Sequence, residues 1–353
     1  MGFKRFDPED FVVSADTVTS TVWSGFQPFL NTYHTSSTQK EGTSGPYYLN
    51  VYQTASAVDG SEIQFSIAFG DETGRGSVLF DGAVPQRSPS RTNYGQYRTL
   101  VLEDENSQFV FGPSFTGSYF YALSVERARY KEKLFPGSFN LVLSSSNPNL
   151  NALHLTDNSQ EVTLPTFYGT QRAYQVISGS DGSAWAGNGH SLSGSYGLFL
   201  PDISTVLLNG AALDDSNAPG STGTDDGCGI GLNTGLSNNA NEDNSSKLYR
   251  HISGSTGDSN SNIFKLNSQE TITSDFVFVR ARNSEFNYSE NPSFISGSTG
   301  EVVFNYFIDN PQTFPTTVGM YNDSNELLAV AKLSRPISKD FTKEALIRVK
   351  LDF

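Results

Sequence analysis

Carboxylate pairs are the residues whose type and spacing come closest to chemistry in this chain: Glu103-Asp104-Glu105, Asp214-Asp215 and Asp225-Asp226. Glycoside hydrolysis needs two carboxyl groups about 5–10 Å apart across a cleft. These pairs lie among turn formers, where solvated loop carboxylates are the expectation. Asp225-Asp226 beside Gly227 would hold a cation only weakly, with help from backbone carbonyls, and no run has the alternating acids of a calcium loop. The histidines His34, His154, His190 and His251 are scattered, without an i, i+4 pair to grip zinc. A lone Cys228 excludes an intramolecular disulfide and a cysteine-built zinc site within one chain. Gly227-Cys228-Gly229-Ile230-Gly231 has the glycines of a phosphate cradle but no helix pattern after it, and no nucleophile elbow occurs. The expectation is a protein that is not an enzyme, with no catalytic residue, no metal and no cofactor.

Residues suited to binding are easier to find. In SYFYALSVERARYKEKLFPGSFNLVLS, an extended chain would put Arg127, Arg129, Lys131 and Lys133 on one face. Phe135-Pro136-Gly137-Ser138 has Pro then Gly at the centre of a type II turn, so a hairpin leading into FNLVL is expected. Four cations on one face would hold a phosphate or an acidic partner; a solvated edge that resists sheet pairing is the alternative. Trp185, in the loop SDGSAWAGNGH, would serve as a glycan platform or fold back on its own sheet. Because Tyr, Trp and Arg carry much of the energy at interfaces, the candidate interface set is Arg127, Arg129, Lys131, Lys133, Trp185, Asp225, Asp226, Tyr249 and Tyr321.

The elements that must position these residues read as strands. Phe (26) and Tyr (16) are abundant and Gly (32) is frequent in the 353 residues. Together they indicate an all-β chain of sandwich-like domains, with antiparallel hairpins, long polar loops and aromatic cores. EIQFSIAFG alternates Ile63, Phe65, Ile67 and Phe69 with smaller or polar residues, as a half-buried strand would. QYRTLVLED, QFVFG, LHL, EVTLPTFYG, AYQVIS, DFVFVRAR and EVVFNYFI extend the series. TTVGMYNDSNELLAVAKLS is a hairpin about Asn322-Asp323-Ser324-Asn325, and ALIRVKLDF puts Ile347, Val349 and Leu351 on one face. The division expected is an N-terminal arm or edge strand over 1–40 and a first β domain over 41–148. A loop-rich middle follows over 149–265, and a C-terminal β domain over 266–353. Residues 214–262 hold few large apolar side chains and no sustained period. Such a run is functional or disordered, so a partner surface is expected there, removable over 221–245 without loss of the fold.

The formal net charge of −14 argues against a general nucleic-acid binder. The N-terminal MGFKRFDPEDFVV lacks a signal-like apolar core, and no run approaches the ~20 apolar residues of a membrane span. Synthesis and maturation in a cytosol, without a membrane anchor, are expected.

Several long stretches together resemble a known family. They are KRFDPEDFVVSADTVTSTVWSG, YGQYRTLVLED, SVERARYKEKLFPGSFNLVL, SYGLFLPDISTVLLN, FVFVRARNSEFNYSENPSF and TTVGMYNDSNELLAVAKLSRPISKDFTKEALIRVKLDF. They are similar to a virion structural protein of T-even-like cyanophages, tail- or baseplate-associated. VGMYNDSNELLAVAKLS also resembles the attachment-domain hairpin of some tail-fibre proteins, although here no fibre repeat follows it. The resemblance implies a virion tail component whose partners are other tail or baseplate proteins, copies of itself and tail fibres. Its alternatives are a glycan-recognising receptor-binding module and a neck or capsid-decoration protein. It implies no catalytic residues.

Overall fold

The computed structural model describes residues 4–36, 47–77, 87–112, 115–145, 152–184, 196–215, 229–236, 243–254, 264–289 and 291–352. Strand takes 41% against 17% helix, in large antiparallel sheets that include a curled half-barrel, so the chain is all-β with a few covering helices. It divides into a larger unit, Val18–Glu270, and a smaller one made of Met1–Thr17 and Thr271–Phe353. The larger unit runs through the 148/149 boundary drawn from sequence, because strands from both sides of it pair in one sheet.

That sheet has eleven strands. Its main path, in spatial order, is Phe264–Lys265, Asn140–Leu143, Leu153–Asp157, Gln171–Ser180, Gly197–Leu200, Thr205–Asn209, Tyr119–Val125, Ile63–Asp71 and Tyr48–Tyr52. Both faces are covered. Phe65, Ile67, Phe69, Tyr121 and Leu123 join Trp23, Phe139, Phe199 and Phe264 in one core. Ala68, Phe120, Ala122 and Leu207 join Tyr94, Phe109 and Phe111 in another. Alternate side chains of a strand point to opposite faces, so successive residues feed the two cores. The strand expected to be half-buried is therefore buried on both faces. Gln64, fully buried, is accommodated by donating to Gln53 Oε1 (2.7 Å), Glu62 O (2.8 Å) and Ser24 Oγ (3.0 Å).

QYRTLVLED is a second correction, because it lies largely in a helix, Pro89–Leu102. Ser88 caps its start by accepting from Arg91 N, Pro89 occupies the first turn, and Glu103 ends it in the left-handed region. Ser90, Tyr94 and Val101 recur at helical spacing and are buried. Asn93 Nδ2 donates to Phe69 O (2.9 Å) and Tyr47 O (3.0 Å), which ties the helix to the sheet.

The 214–262 expectation also fails where residues are described. Asn244–Gly254 is a helix whose Leu248 and Ile252, one turn apart, enter the main core with Ile230 and Leu232. Asn244 is buried and donates to Gly76 O (3.0 Å) while accepting from Gly235 N (2.9 Å). The ordering is internal, and removal of 221–245 would take core side chains with it.

In the smaller unit, Asn267–Ala281 pairs antiparallel with Ala345–Asp352, from Ser274↔Asp352 to Ala281↔Ala345. The sheet order places Phe11–Thr21 on the other side of Asn267–Ala281. The hairpin forms as read, Thr317–Tyr321 against Leu327–Lys332. Asn322 Oδ1 accepts from Glu326 N (2.8 Å) and Ser324 N (3.0 Å), and Asn325 takes φ 60°, which Asn tolerates. Its inner residues Val318, Met320, Ala329 and Ala331 pack with Val277, Val279, Ile347, Val349 and Leu351. EVVFNYFI, expected as a strand, is corrected too: it runs into a five-residue helix, Asn305–Asp309, which buries Phe307 edge-on to Phe294 at 4.5 Å.

Candidate interaction surface

The four cations do not share a face. Regular strand ends at Val125, and Arg127–Arg129 is a 3-10 turn. The Arg127 guanidinium lies 4.7 Å from the centre of the Tyr130 ring and donates to Tyr130 O at 2.8 Å. Arg129 donates to Glu62 Oε2 (2.7 Å) and to Ser24 Oγ. Hydrogen bonds from Ser24 and Arg129 hold the Glu62 carboxyl below its ordinary range. Lys131 is fixed through its backbone N, which donates to Ser268 Oγ (2.9 Å), and Lys133 Nζ pairs with Glu132 at 3.3 Å. The period-2 reading failed because the chain turns after Val125. Lys133-Leu134 then pairs with Ser268-Gln269 and not with Asn140–Leu143, so no hairpin joins them. The turn itself is as expected: Ser138 N donates to Phe135 O (3.2 Å), and Gly137 has φ 87°.

Tyr249 points inward, its hydroxyl donating to Tyr33 O at 2.9 Å, and burial raises its pKa. Trp185, Asp225 and Asp226 lie outside the described residues. Tyr321 is exposed, at the end of the hairpin strand opposite Leu327.

Tyr321 belongs to a larger feature that sequence reasoning missed. On the outer side of the hairpin, Leu327, Leu328 (68% exposed) and Val330 (58%) face water. Leu346 on the last strand does so as well (60%), as do Tyr306 and Ile308, which flank buried Phe307. Val12 and Val13, consecutive on the first strand, point to opposite faces and are both exposed. A signal for this was present. Leu327-Leu328 breaks alternation, and Tyr306-Phe307-Ile308 sets three large apolar residues in one helical turn, so some must face outward. Some charges of the unit are settled locally. Arg348 and Lys350 sit over the Phe276 ring at 5.3 and 6.0 Å. Hydrogen bonds from Thr342 and Lys343 hold the Asp340 carboxyl at about 2.

A concave feature of the larger unit, about 260 Å³, is lined by Phe29, Asn140, His154, Asp181 and Lys265 among others. Lys265 pairs with Asp181 at 2.6 Å and, with Asn140, holds that carboxyl below its usual range. The charges neutralise each other, and the volume is below the ~300 Å³ where small-molecule sites begin. Among the described residues, no three His, Cys, Asp or Glu side chains gather as a metal site would need, and no helix is long and apolar enough to cross a membrane. No family model, curated protein or solved structure matches the chain.

Proposed function

We propose that this chain is a non-enzymatic structural protein of a contractile-tailed phage virion. In this reading it is a tail or baseplate component that joins neighbouring subunits or fibres. The observation that carries the reading is the outer face of the hairpin in the smaller unit, where the paired Tyr321 and Leu327 and their neighbours Leu328 and Val330 face solvent. Contiguous exposed apolar surface marks association sites. Burying one such side chain is worth about 1.5–3 kcal/mol. The resemblance of the sequence to cyanophage tail proteins supplies the setting. There the partners are other tail or baseplate proteins and further copies of the chain.

The test replaces Leu328, Val330 and Leu346 together by Ser in the virion-encoding phage and counts the protein in purified particles. Loss of about tenfold or more, equivalent to ~1.4 kcal/mol of association, is expected, with the purified variant still folded. Unchanged incorporation would overturn the reading.

A further inference from the structure

Lys339 is fully buried in the smaller unit, and no carboxylate lies within ion-pair distance of it among the described residues. Its Nζ donates to three neutral oxygens: Asn287 Oδ1 at 2.7 Å, Asn283 O at 3.0 Å and Asp340 O at 3.1 Å. A buried cation held only by neutral oxygens is an expensive arrangement. As a pair of reactants it has a clear use, because an amine and a carboxamide are set against each other away from water.

Both partners are anchored through one residue. Thr313 exchanges two backbone hydrogen bonds with Lys339, each 2.9 Å, and its Oγ1 donates to Phe286 O at 2.6 Å, just before Asn287. Asn287 is itself buried, and its Nδ2 donates to Asn283 O at 2.5 Å. That bond leaves Oδ1 to accept from Lys339, which brings the Cγ bonded to it beside Nζ, while Nδ2 and Nζ share Asn283 O. Fixed, desolvated neighbours in this geometry react as one molecule, with large effective concentration.

We propose that Lys339 and Asn287 join through an intramolecular amide cross-link. Nζ first passes one proton of its ammonium to Oδ1, which accepts its hydrogen bond, and then attacks Cγ; the Nζ–Cγ bond forms and the Cγ–Nδ2 bond breaks. Nδ2 departs with its own two hydrogens and two from the lysine ammonium, as an ammonium ion. No oxidant, reductant or outside reagent is required. The cross-link ties residues 52 positions apart and encloses the Asn305–Asp309 helix and the hairpin. Closing a loop of that length restricts the unfolded chain, which suits a unit with a small core. The proposal is independent of the assembly reading.

Intact mass spectrometry of the purified, folded full-length chain tests it. The expected mass is lower than that of the sequence by ~17 Da, one ammonia. Proteolysis should release a branched peptide containing both residues. Lys339→Arg and Asn287→Ala should each abolish the branch and restore the full mass. Asn287→Asp should keep it, with loss of one water instead. A wild-type chain at full sequence mass, yielding separate linear peptides, would overturn the proposal whatever the variants do.

Discussion

The two units build their cores on different scales. In Val18–Glu270 a large aromatic core is enclosed, with Phe264 against Trp23, Phe65 and Phe139 at ring-centre distances of 4.8, 5.2 and 6.0 Å, although Phe26, Leu164 and Phe167 of the same unit face water. In the smaller unit the buried cluster is Val277, Met320 and Val349 with a partly buried fringe, while large side chains such as Tyr306 and Leu328 face water. Composition does not account for the difference, since both units are built of Phe-, Tyr- and Val-rich strands. Coverage does. The eleven-stranded sheet is covered on both faces, whereas the hairpin covers one face of its sheet and turns its own back to solvent. One unit thus carries a thick core and the other a thin one.

The largest effect should come from the enclosed side. Phe264→Ala removes the ring shared by Trp23, Phe65 and Phe139, and should cost about 3–5 kcal/mol in denaturant unfolding. A cost near zero would break the contrast at its stronger end. Met320→Ala, at the centre of the smaller cluster, should cost less, about 2 kcal/mol, because the fringe around it already touches solvent. The two values separate a thick core from a thin one.

Acid should act on the larger unit through His251. Burial lowers the pKa of this imidazole, and its Nδ1 donates to Ser144 O at 2.7 Å. A folded-state pKa below the unfolded one means that the stabilisation is complete above the ordinary imidazole range. It is then lost as pH falls through that range toward the folded value. Unfolding followed from pH 8 to pH 5 should show this decline, and His251→Asn should flatten it. The smallest effect on folding is expected from Leu328→Ser, under about 0.5 kcal/mol, even though the same residue belongs to the surface on which incorporation is proposed to depend. A large loss of stability there would mean that the outer face belongs to the fold and not to a partner.

How much of this was legible depended on whether local pattern or long-range covering decided the outcome. The hairpin at Asn322–Asn325, the Pro136-Gly137 turn and the Ile347/Val349/Leu351 face follow from turn chemistry and period alone, and the all-β class follows from composition. QYRTLVLED was misread because its capping signal, Ser88-Pro89, lies outside the stretch whose alternation suggested a strand. The basic face was misread because a 3-10 turn after Val125 sends each cation to its own partner, which no periodicity announces. Leu248 and Ile252 show that two apolar residues one turn apart can anchor a polar segment, given a cavity to receive them. The burial of Lys339 has no local signal at all, since Ser338-Lys339-Asp340 reads as surface. The exposed apolar residues of the smaller unit were half legible: adjacent large apolar residues showed that some must face outward, but not which ones.

The most direct measurement is a cryo-electron-microscopy reconstruction of the assembled particle that carries this chain. Tyr306, Ile308, Leu328, Val330 and Leu346 should be covered by other polypeptides, within an interface of more than ~1,000 Å². A particle in which the chain is present while these side chains face solvent would contradict the joining role proposed for them.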